Sequence, residues 1–253
     1  MATLQGAVTG GNHDNVAVLV CKTLGLNVSR LVQVLLQEAL TATKGSDCFS
    51  GCRLKEFFDF GGGIGIVYDE ALSSGSPDWW SHGDQARRMT PEDYAAAIIP
   101  ALKPLGLRIL FEPGRFLVGN AGALLSTVQY VKQTPAKTFT IVDAAMNDLI
   151  RPALYEGWHE IVPLQQAKEQ PVTMDVVGPV CESGDFFAQD RGIPPLAPGE
   201  RIAILSSGAY GFVMSSNYNS RPLLPEILVD GDKVHLARAR QTMDDLIRGE
   251  ALP

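Results

Sequence analysis

The chain has 253 residues, 45% of them hydrophobic and 19% charged, which is enough to bury a substantial core in one large domain or two smaller ones. Its formal net charge of −7 argues against a nucleic-acid partner, because phosphate binding depends on clustered lysine and arginine. No apolar stretch approaches the roughly 20 residues that cross a bilayer, and the first residues lack the regions of a secretory signal, so we expect a cytoplasmic protein with no membrane partner.

Residues 1–54 contain no motif that points to a chemistry. The apolar residues of 15–24 and of 28–42 have spacings compatible with helices, and the glycine, serine and cysteine residues of 45–51 predict a turn. The cysteines of the chain are Cys21, Cys48, Cys52 and Cys181. They are too few and too scattered for a disulfide framework, so we expect reduced thiols.

A zinc site is the alternative interpretation of these cysteines. Cys48 and Cys52 are four positions apart, and His13 or His82 would complete a set of ligands. The paired Cys-x-x-Cys knuckles of zinc domains are absent, however, which favours ordinary loop cysteines. We therefore predict no metal site.

Residues 55–125 have the pattern of an α/β structure. A short apolar run at 57–60 ends in the glycine loop 61–65, helical spacing follows at 91–105, and a second run at 107–111 stops at the sequence Glu112-Pro-Gly-Arg115. A further helix is predicted from there through residue 125. Strand, glycine loop, helix, strand and loop form the unit from which parallel α/β sheets and barrels are built.

Beyond residue 125, β-type patterns dominate. Strands are predicted at 127–132, 138–142, 172–180, 201–205 and 226–236, the last containing the turn 230–232. A short terminal helix is predicted at 241–248. The natural prediction for residues 126–253 is a β domain.

The glycine loop is a candidate anion site. Consecutive glycines let the backbone approach a phosphate closely, because no Cβ keeps the amides from pointing into one concavity. The pattern alone is a weak signal, and a tight strand-to-helix turn without a ligand is an equally good interpretation.

The Glu112 to Arg115 loop has a definite chemical use. A carboxylate such as Glu112 can keep a pyridine nitrogen protonated, and an arginine such as Arg115 can grip a phosphate or carboxylate through its fork of donors. The alternative is a surface turn with an exposed ion pair, which contributes little to stability.

Four further strings make the pattern specific. They are residues 143–155 (DAAMNDLIRPALY), 177–185 (VGPVCESGD), 207–211 (SGAYG) and 217–222 (NYNSRP). With the two loops, their order and spacing resemble the alanine-racemase-like pyridoxal-phosphate-dependent decarboxylases, and among them the diaminopimelate decarboxylases, over residues 55–250. The resemblance implies an α/β plus β fold.

In that fold, 1–54 is an unmatched amino-terminal segment and 55–125 is a partial (β/α) barrel with phosphate-binding loops. The barrel part is incomplete and comprises the last two strand-helix units. Residues 126–253 form a carboxyl-terminal β domain, either a β-barrel or a sandwich.

The resemblance also implies the site. Pyridoxal 5'-phosphate would be bound by Gly61, Gly62, Gly63, Gly65, Glu112, Gly114, Arg115 and Tyr210. The amino-acid substrate would be bound by Arg115, Arg151, Tyr155, Glu182 and Tyr210. Within this set Glu112 would pair with the pyridinium nitrogen. Arg151 and Tyr155 would bind the distal carboxylate of the substrate, and Glu182 its distal ammonium. Cys181 would be the catalytic acid, and with Glu182 it would serve the cofactor of a neighbouring subunit, so a homodimer is expected. Ordinary packing or surface roles are the alternative for each residue taken singly.

Members of this family anchor their cofactor on a lysine in a Tyr-x-x-Lys-Ala-Asn string, which these 253 residues do not contain. The lysines before the glycine loop are Lys22, Lys44 and Lys55, none of them in that context. We therefore expect the isolated chain to be inactive. A first alternative is a non-catalytic subunit that donates Cys181, Glu182 and Tyr210 to a full-length paralogue, and a second is a plain β-rich interaction module.

Overall fold

The computed structural model describes residues 17–21, 57–69, 72, 90–165 and 169–251, and the structural statements below concern those residues. The strands are β1 (Ala17–Cys21), β2 (Phe57–Asp59), β3 (Arg108–Leu110), β4 (Gly122–Gln133), β5 (Thr138–Val142), β6 (Ile161–Pro163), β7 (Val172–Val177), β8 (Phe186–Ile193), β9 (Arg201–Ile204), β10 (Glu226–Asp230) and β11 (Lys233–Arg238). The α-helices are α1 (Pro91–Leu102), α2 (Gly114–Val118), α3 (Arg151–Tyr155) and α4 (Met243–Leu246). Short 3-10 turns occur at Lys103–Leu105, Gly119–Ala121, Phe212–Met214 and Tyr218–Ser220.

The chain divides into two compact units. Of the described residues, 57–66 and 90–117 form what we call the glycine-loop unit. The others, 17–21, 67–69, 72, 118–165 and 169–251, form what we call the sheet unit. None of the described helices combines the length and the apolar character required to cross a membrane.

The glycine-loop unit is built on two parallel strands. β2 pairs with β3, and α1 comes between them in the chain. Thr90 begins α1 with a reciprocal cap, since its hydroxyl accepts from the Asp93 N–H at 3.1 Å while its own N–H bonds the Asp93 carboxylate at 3.2 Å. Ile64 and Ala95 are buried at the centre of this unit. The predicted succession of strand, glycine loop, helix and strand is confirmed.

The sheet unit contains nine strands in the order β11-β10-β1-β4-β5-β7-β8, with β9 pairing β4 and β6 pairing β9. β4 is the organising strand, because its first half pairs with β1 and β9 and its second half pairs with β5. A bulge between Val128 and Tyr130 separates the two halves, and bulges bend strands. The result is a curled, half-barrel sheet, which agrees with the predicted sheet domain at this coarse level.

The core of the sheet unit comes from side chains that alternate inward along these strands. Members that are almost fully buried are Leu124, Val128, Val142, Leu149, Val176, Phe187, Ile193, Ile202 and Ile204. Because β-branched and aromatic side chains fill a pleated surface well, the strands rich in them are held firmly in the sheet. This core supports the loops that carry the candidate site.

Two helix predictions are wrong. Residues 15–24 contain the strand β1, which pairs with β10 on one side and β4 on the other. A valine-containing sequence of this kind favours a strand, because β-branched residues lose conformational freedom in a helix. The helix predicted to run through residue 125 ends at Val118, and β4 begins at Gly122. The predicted helix 28–42, the turn 45–51, the possible zinc ligands Cys48, Cys52, His13 and His82, and Lys22, Lys44 and Lys55 lie outside the described residues.

Other differences are smaller. Strands β6 and β8 were not predicted, and β7 ends at Val177 rather than at residue 180 because a Gly-Pro pair follows it. The turn at 230–232 joins β10 and β11 as predicted, with Gly231 at φ 65°. The predicted terminal helix is confirmed as the single turn α4, which Thr242 and Asp245 cap reciprocally.

Candidate functional site

The glycine loop lies beside the residues that follow β3. The Phe60 N–H donates to the Leu110 carbonyl at 3.0 Å, and the Glu112 N–H donates to the Gly61 carbonyl at 2.8 Å, so the β2-β3 pairing continues into both loops. Gly62 has no room for a side chain, because a Cβ there would overlap the carbonyl oxygen of Glu112. The structure therefore brings the two sequence-predicted cofactor loops into direct contact.

Other glycines of this loop have open space beside them. Among the described residues, no atom would lie within 4 Å of a Cβ added to Gly61, Gly63 or Gly65, and the first two have φ of 76° and 95°. Gly114, at the start of α2, is equally open. Bare backbone facing free space is what a phosphate group needs to reach the amides. The loop therefore fits the phosphate of pyridoxal phosphate, with Glu112 and Arg115 on the neighbouring segment.

In the sheet unit, residues 178–185 form what we call the Cys181 loop, and Asp185 holds it together. The Asp185 carboxylate accepts the Val180 N–H at 2.6 Å and the Met146 N–H at 2.7 Å. Gly178 must be glycine, since a Cβ would overlap that carboxylate. Burial raises the pKa of Asp185 above its usual range, although the two N–H bonds oppose this shift. One buried carboxylate thus closes the loop and ties it to the segment leading into α3.

Cys181 and Glu182 stand at the exposed tip of this loop. The Glu182 carboxylate accepts the Ser183 N–H at 2.8 Å through one oxygen and the Tyr218 hydroxyl at 3.0 Å through the other. The bond to Glu182 is also the main reason why the pKa of Tyr218 is raised. A carboxylate held in this way keeps free lone pairs, so it can accept an ammonium group.

Arg151 begins α3 and points to a buried histidine. Its Nη1 lies 2.7 Å from His159 Nε2, and its guanidinium carbon lies 4.6 Å from the centre of the Tyr68 ring. The other ring nitrogen, Nδ1, lies 2.8 Å from the Leu205 carbonyl oxygen. Because a carbonyl only accepts and an arginine only donates, Nδ1 carries the hydrogen and Nε2 is the acceptor. Burial, followed by the charges of Arg151 and Arg191, lowers the pKa of His159 to about 4, so the ring is neutral.

The Cys181 loop and α3 are neighbours. Gly184 lies so close to α3 that an added Cβ would be 3.6 Å from the side chain of Ala153. Tyr155, at the other end of α3, is 61% exposed. The structure therefore brings the segments carrying the predicted residues Arg151 and Glu182 together in the sheet unit.

Tyr210 lies on a separate turn, which packs backbone against backbone. Gly208 has no space for a Cβ because the Val118 carbonyl lies against it, and the Ser207 N–H donates to the Gly122 carbonyl at 2.8 Å. Tyr210 itself has φ of 57° and is 46% exposed. Among the described residues, no hydrogen bond links Tyr210 or Tyr155 to another predicted site residue.

An arginine network missed by sequence reasoning joins two of the four strings. Arg221 donates to the Asn147 side chain at 2.9 Å and to the Asp143 carbonyl at 2.6 Å, and it lies 3.5 Å from the Asp148 carboxylate. Burial raises the pKa of Asp148 to about 6. His159, Tyr68 and Tyr218 were missed as well. The strings contain several of these residues, but nothing in a single sequence marks them as partners.

Residues 18–208 match the family model of the pyridoxal-dependent decarboxylase C-terminal sheet domain. Since that match covers well over half of the chain, the chain belongs to the pyridoxal-dependent decarboxylases, a class whose cofactor is pyridoxal phosphate. The family predicted from the strings is confirmed. The predicted domain boundaries stay a prediction.

Within the class, the chain is similar to diaminopimelate decarboxylases. It is 45% identical to that of Vibrio cholerae over 189 residues, which are 74% of this chain and 42% of the relative. It is 41% identical to that of Aquifex aeolicus, with 85% and 46% covered. The Helicobacter pylori diaminopimelate decarboxylase complexed with L-lysine matches at a TM-score of 0.65 and 42% identity, with 76% of this chain and 44% of that chain covered. The chain thus spans less than half the length of these relatives.

Proposed function

We propose that the chain is the carboxyl-terminal part of a diaminopimelate decarboxylase, which removes one carboxylate of meso-2,6-diaminopimelate as carbon dioxide and leaves L-lysine. The observation that carries the proposal is the Asp185 junction, which joins the Cys181 loop to the segment leading into α3. A basic Arg151 and an acidic Glu182 on adjoining segments suit a substrate with both a carboxylate and an ammonium at its far end. The lysine complexes of the Helicobacter pylori and M. jannaschii relatives support the same end group.

The cofactor residues are assigned to the glycine-loop unit and to Tyr210. Gly61, Gly62, Gly63 and Gly65 hold the phosphate through their backbone, with Gly114 and Arg115 beside them. Glu112 accepts a hydrogen bond from the protonated ring nitrogen, and Tyr210 contacts both cofactor and substrate. When bound, pyridoxal phosphate supplies the electron sink for the departing carboxylate. In this proposal β2, α1, β3 and α2 are the last two strand-helix units of a (β/α) barrel, and the sheet unit is a β-barrel or sandwich domain.

The substrate residues belong to the sheet unit. Arg151 and Tyr155 bind the distal carboxylate, Glu182 binds the distal ammonium, and Arg115 faces the carboxylate near the cofactor. The Cys181 thiol gives its proton to the substrate carbon after carbon dioxide leaves. As the family resemblance implies, Cys181 and Glu182 serve the cofactor of a neighbouring subunit in a dimer, and their exposure at the loop tip is compatible with that role.

A first experiment measures the isolated chain. Purified chain is incubated with pyridoxal phosphate and meso-diaminopimelate, and lysine formation, visible absorbance and covalent fixation by borohydride are recorded. We expect no lysine and no fixed cofactor, because the family's lysine string is absent from these residues. Lysine formation with a borohydride adduct on Lys22, Lys44 or Lys55 would overturn the expectation that the chain is inactive alone.

The second candidate is a non-catalytic subunit that completes the site of a full-length decarboxylase. The exposure of Cys181 and Glu182 favours it, since both face away from their own core. The chain is co-expressed with a full-length relative whose own active-site cysteine is replaced by alanine. Restored lysine production supports the subunit, provided that the Cys181→Ala chain does not restore it. If a stable mixed dimer forms and produces no lysine, the hypothesis of a non-catalytic subunit is rejected.

A third experiment separates the two roles at the loop tip in such a mixed dimer. Cys181→Ala is expected to lower kcat much more than it raises KM, because the thiol acts after binding. Glu182→Ala is expected mainly to raise KM, because its partner is charged in the ground and transition states alike. Full activity of both variants would contradict the assigned roles.

A further inference from the structure

Arg151 differs from Arg191 and Arg221, two other arginines of the sheet unit. Arg191 pairs with Glu160 at 3.8 Å, and Arg221 pairs with Asp148 at 3.5 Å. For Arg151, no ion pair with a carboxylate is found within the described part of the chain. Its two close neighbours are a neutral imidazole and an aromatic face, so its position is fixed while no carboxylate of the described residues neutralises its charge.

His159 is built to be a neutral acceptor. It is fully buried, and the Leu205 carbonyl takes the hydrogen of Nδ1 at 2.8 Å, which leaves the lone pair of Nε2 for Arg151. The Tyr68 ring stands edge-on to the imidazole, with ring centres 5.4 Å apart, and the guanidinium of Arg151 lies over the same tyrosine ring. Imidazole and phenol together form a rigid corner around one end of the arginine.

The chemistry of this corner matters for anion binding. An aspartate in place of His159 would pair with the guanidinium and compete with an incoming carboxylate, whereas a protonated histidine would repel the guanidinium. A neutral acceptor occupies one of the five N–H donors and leaves the others for a two-oxygen contact.

We propose that His159 is a positioning residue which, with Tyr68, aims Arg151 at the distal carboxylate of the substrate while leaving the arginine's charge uncompensated. This inference rests on the proposed function, because the carboxylate-binding role of Arg151 is part of it. It adds a specificity device that accepts ligands with a distal carboxylate and discriminates against diamines that lack one.

The first test needs no substrate. The guanidinium resonances of Arg151 are followed by ¹⁵N NMR in the chain and in two variants. His159→Gln retains an acceptor near the position of Nε2, whereas His159→Asn retains only a group near Nδ1. We expect resolved, slowly exchanging N–H signals in the wild type and in His159→Gln, and averaged signals in His159→Asn. The same signals in all three proteins would overturn the positioning role, whatever the chain does with substrates.

The second test uses a matched pair of ligands, L-lysine and cadaverine, which differ by the one carboxylate that Arg151 would bind. Their affinities for the purified chain are measured by calorimetry without the full-length relative, because that relative would contribute substrate-binding residues of its own. We expect His159→Asn to weaken lysine binding about tenfold and cadaverine binding hardly at all, with His159→Gln close to wild type. Equal losses for both ligands would overturn the inference.

Two further outcomes keep the inference separate from the proposed function. If the wild type binds lysine no better than cadaverine, the assigned role of Arg151 fails, and the proposed function fails with it, while the NMR test still decides whether His159 holds Arg151. If His159→Asn does not fold, Tyr68→Leu takes its place, because it removes the aromatic face and leaves the imidazole. About a threefold loss for lysine alone is then expected, and no loss would overturn the inference.

Discussion

The two loops that carry the candidate site are held in opposite ways. The glycine loop in the glycine-loop unit is fixed by backbone contacts, with the Glu112 N–H on the Gly61 carbonyl and Gly62 against the Glu112 carbonyl. The Cys181 loop in the sheet unit is fixed by one side chain, the Asp185 carboxylate. The glycine loop depends on the absence of a side chain at Gly62, and the Cys181 loop depends on the presence of the Asp185 carboxylate. Added atoms should therefore damage the first loop, and removed atoms the second.

The strongest expected effect comes from removing the carboxylate. Asp185→Ala leaves the partly buried N–H groups of Val180 and Met146 without their acceptor, which is expected to lower the free energy of unfolding by about 3 kcal/mol. Asp185→Asn, which retains one acceptor, should fall between this variant and the wild type. Urea denaturation measures all three, with the exposed Asp244→Ala as the control. A loss no greater than that of the control would show that the loop does not depend on Asp185.

The second effect comes from adding an atom. Gly62→Ala forces a Cβ onto the Glu112 carbonyl and should destabilise the contact by about 2 kcal/mol. Hydrogen exchange at the amides of Glu112 and Phe60 should then accelerate by about 30-fold. Gly65→Ala is the matched control, because its Cβ would meet nothing within 4 Å. Equal exchange in both variants would contradict the backbone contact.

The third effect is a pH dependence of stability, which is expected in the sheet unit because buried ionisable groups lie in it. The folded-state pKa of His159 is about 4, below the usual 6.5, so its stabilising contribution is present above pH 6.5 and is lost as the pH falls towards 4. The folded-state pKa of Asp148 is about 6, above the usual 3.8, so its contribution is present below pH 3.8 and is lost as the pH rises through 6. The two oppose each other between these values.

His159→Gln removes one of the opposing contributions. We therefore expect this variant to be more stable at pH 5 than at pH 7 by about 1 kcal/mol relative to the wild type, as measured by urea denaturation. Asp148→Asn should change in the opposite direction. The same pH dependence of stability in the wild type and in both variants would show that His159 and Asp148 do not make opposing contributions. Hydrogen exchange at the Glu112 amide, corrected for its intrinsic rate, should not show this pH dependence, because Glu112 belongs to the glycine-loop unit.

The smallest effect is expected at the tip of the Cys181 loop. Tyr218→Phe removes the hydroxyl that holds one oxygen of Glu182, but the pair is exposed, so no change in Tm is expected. Lysine binding in the mixed dimer should weaken about threefold, since the carboxylate loses its fixed orientation. Tyr130→Phe, at another exposed tyrosine, is the control. Unchanged binding would mean that the Ser183 N–H alone orients Glu182.

Local sequence patterns predicted the helices and strands whose own residues favour the structure that they adopt in the fold. The pattern of Thr138 to Val142 gave the bounds of β5, and the helical spacing that begins at Pro91 gave the start of α1. β1 was missed because a short apolar run suits a strand and a buried helix equally well, and its strand partners come more than 100 residues later. β8 was missed because Gln189, Asp190 and Arg191 interrupt its apolar pattern.

The four sequence strings identified candidate site residues, but they did not identify the residues that form hydrogen bonds with them. Glu182 and Arg151 were singled out from their strings, whereas Tyr218 and His159 were not, although each bonds one of them directly. A buried polar residue and a surface polar residue look alike in one sequence, because the difference lies in the fold around them. Asp185 ends the string 177–185, but nothing in that string predicted its bond to Met146.

The position of β1 in the sheet also bears on synthesis at the ribosome. β1 lies between β4 and β10, yet β10 leaves the ribosome about 200 residues after β1, which takes about 10 to 40 s at ordinary elongation rates. During that interval a valine-rich segment has one or both of its hydrogen-bonding edges unpaired, a state that favours pairing with other nascent chains. Yield in the cell should therefore depend on chaperone protection of the segment that contains β1, and slower translation should increase that dependence.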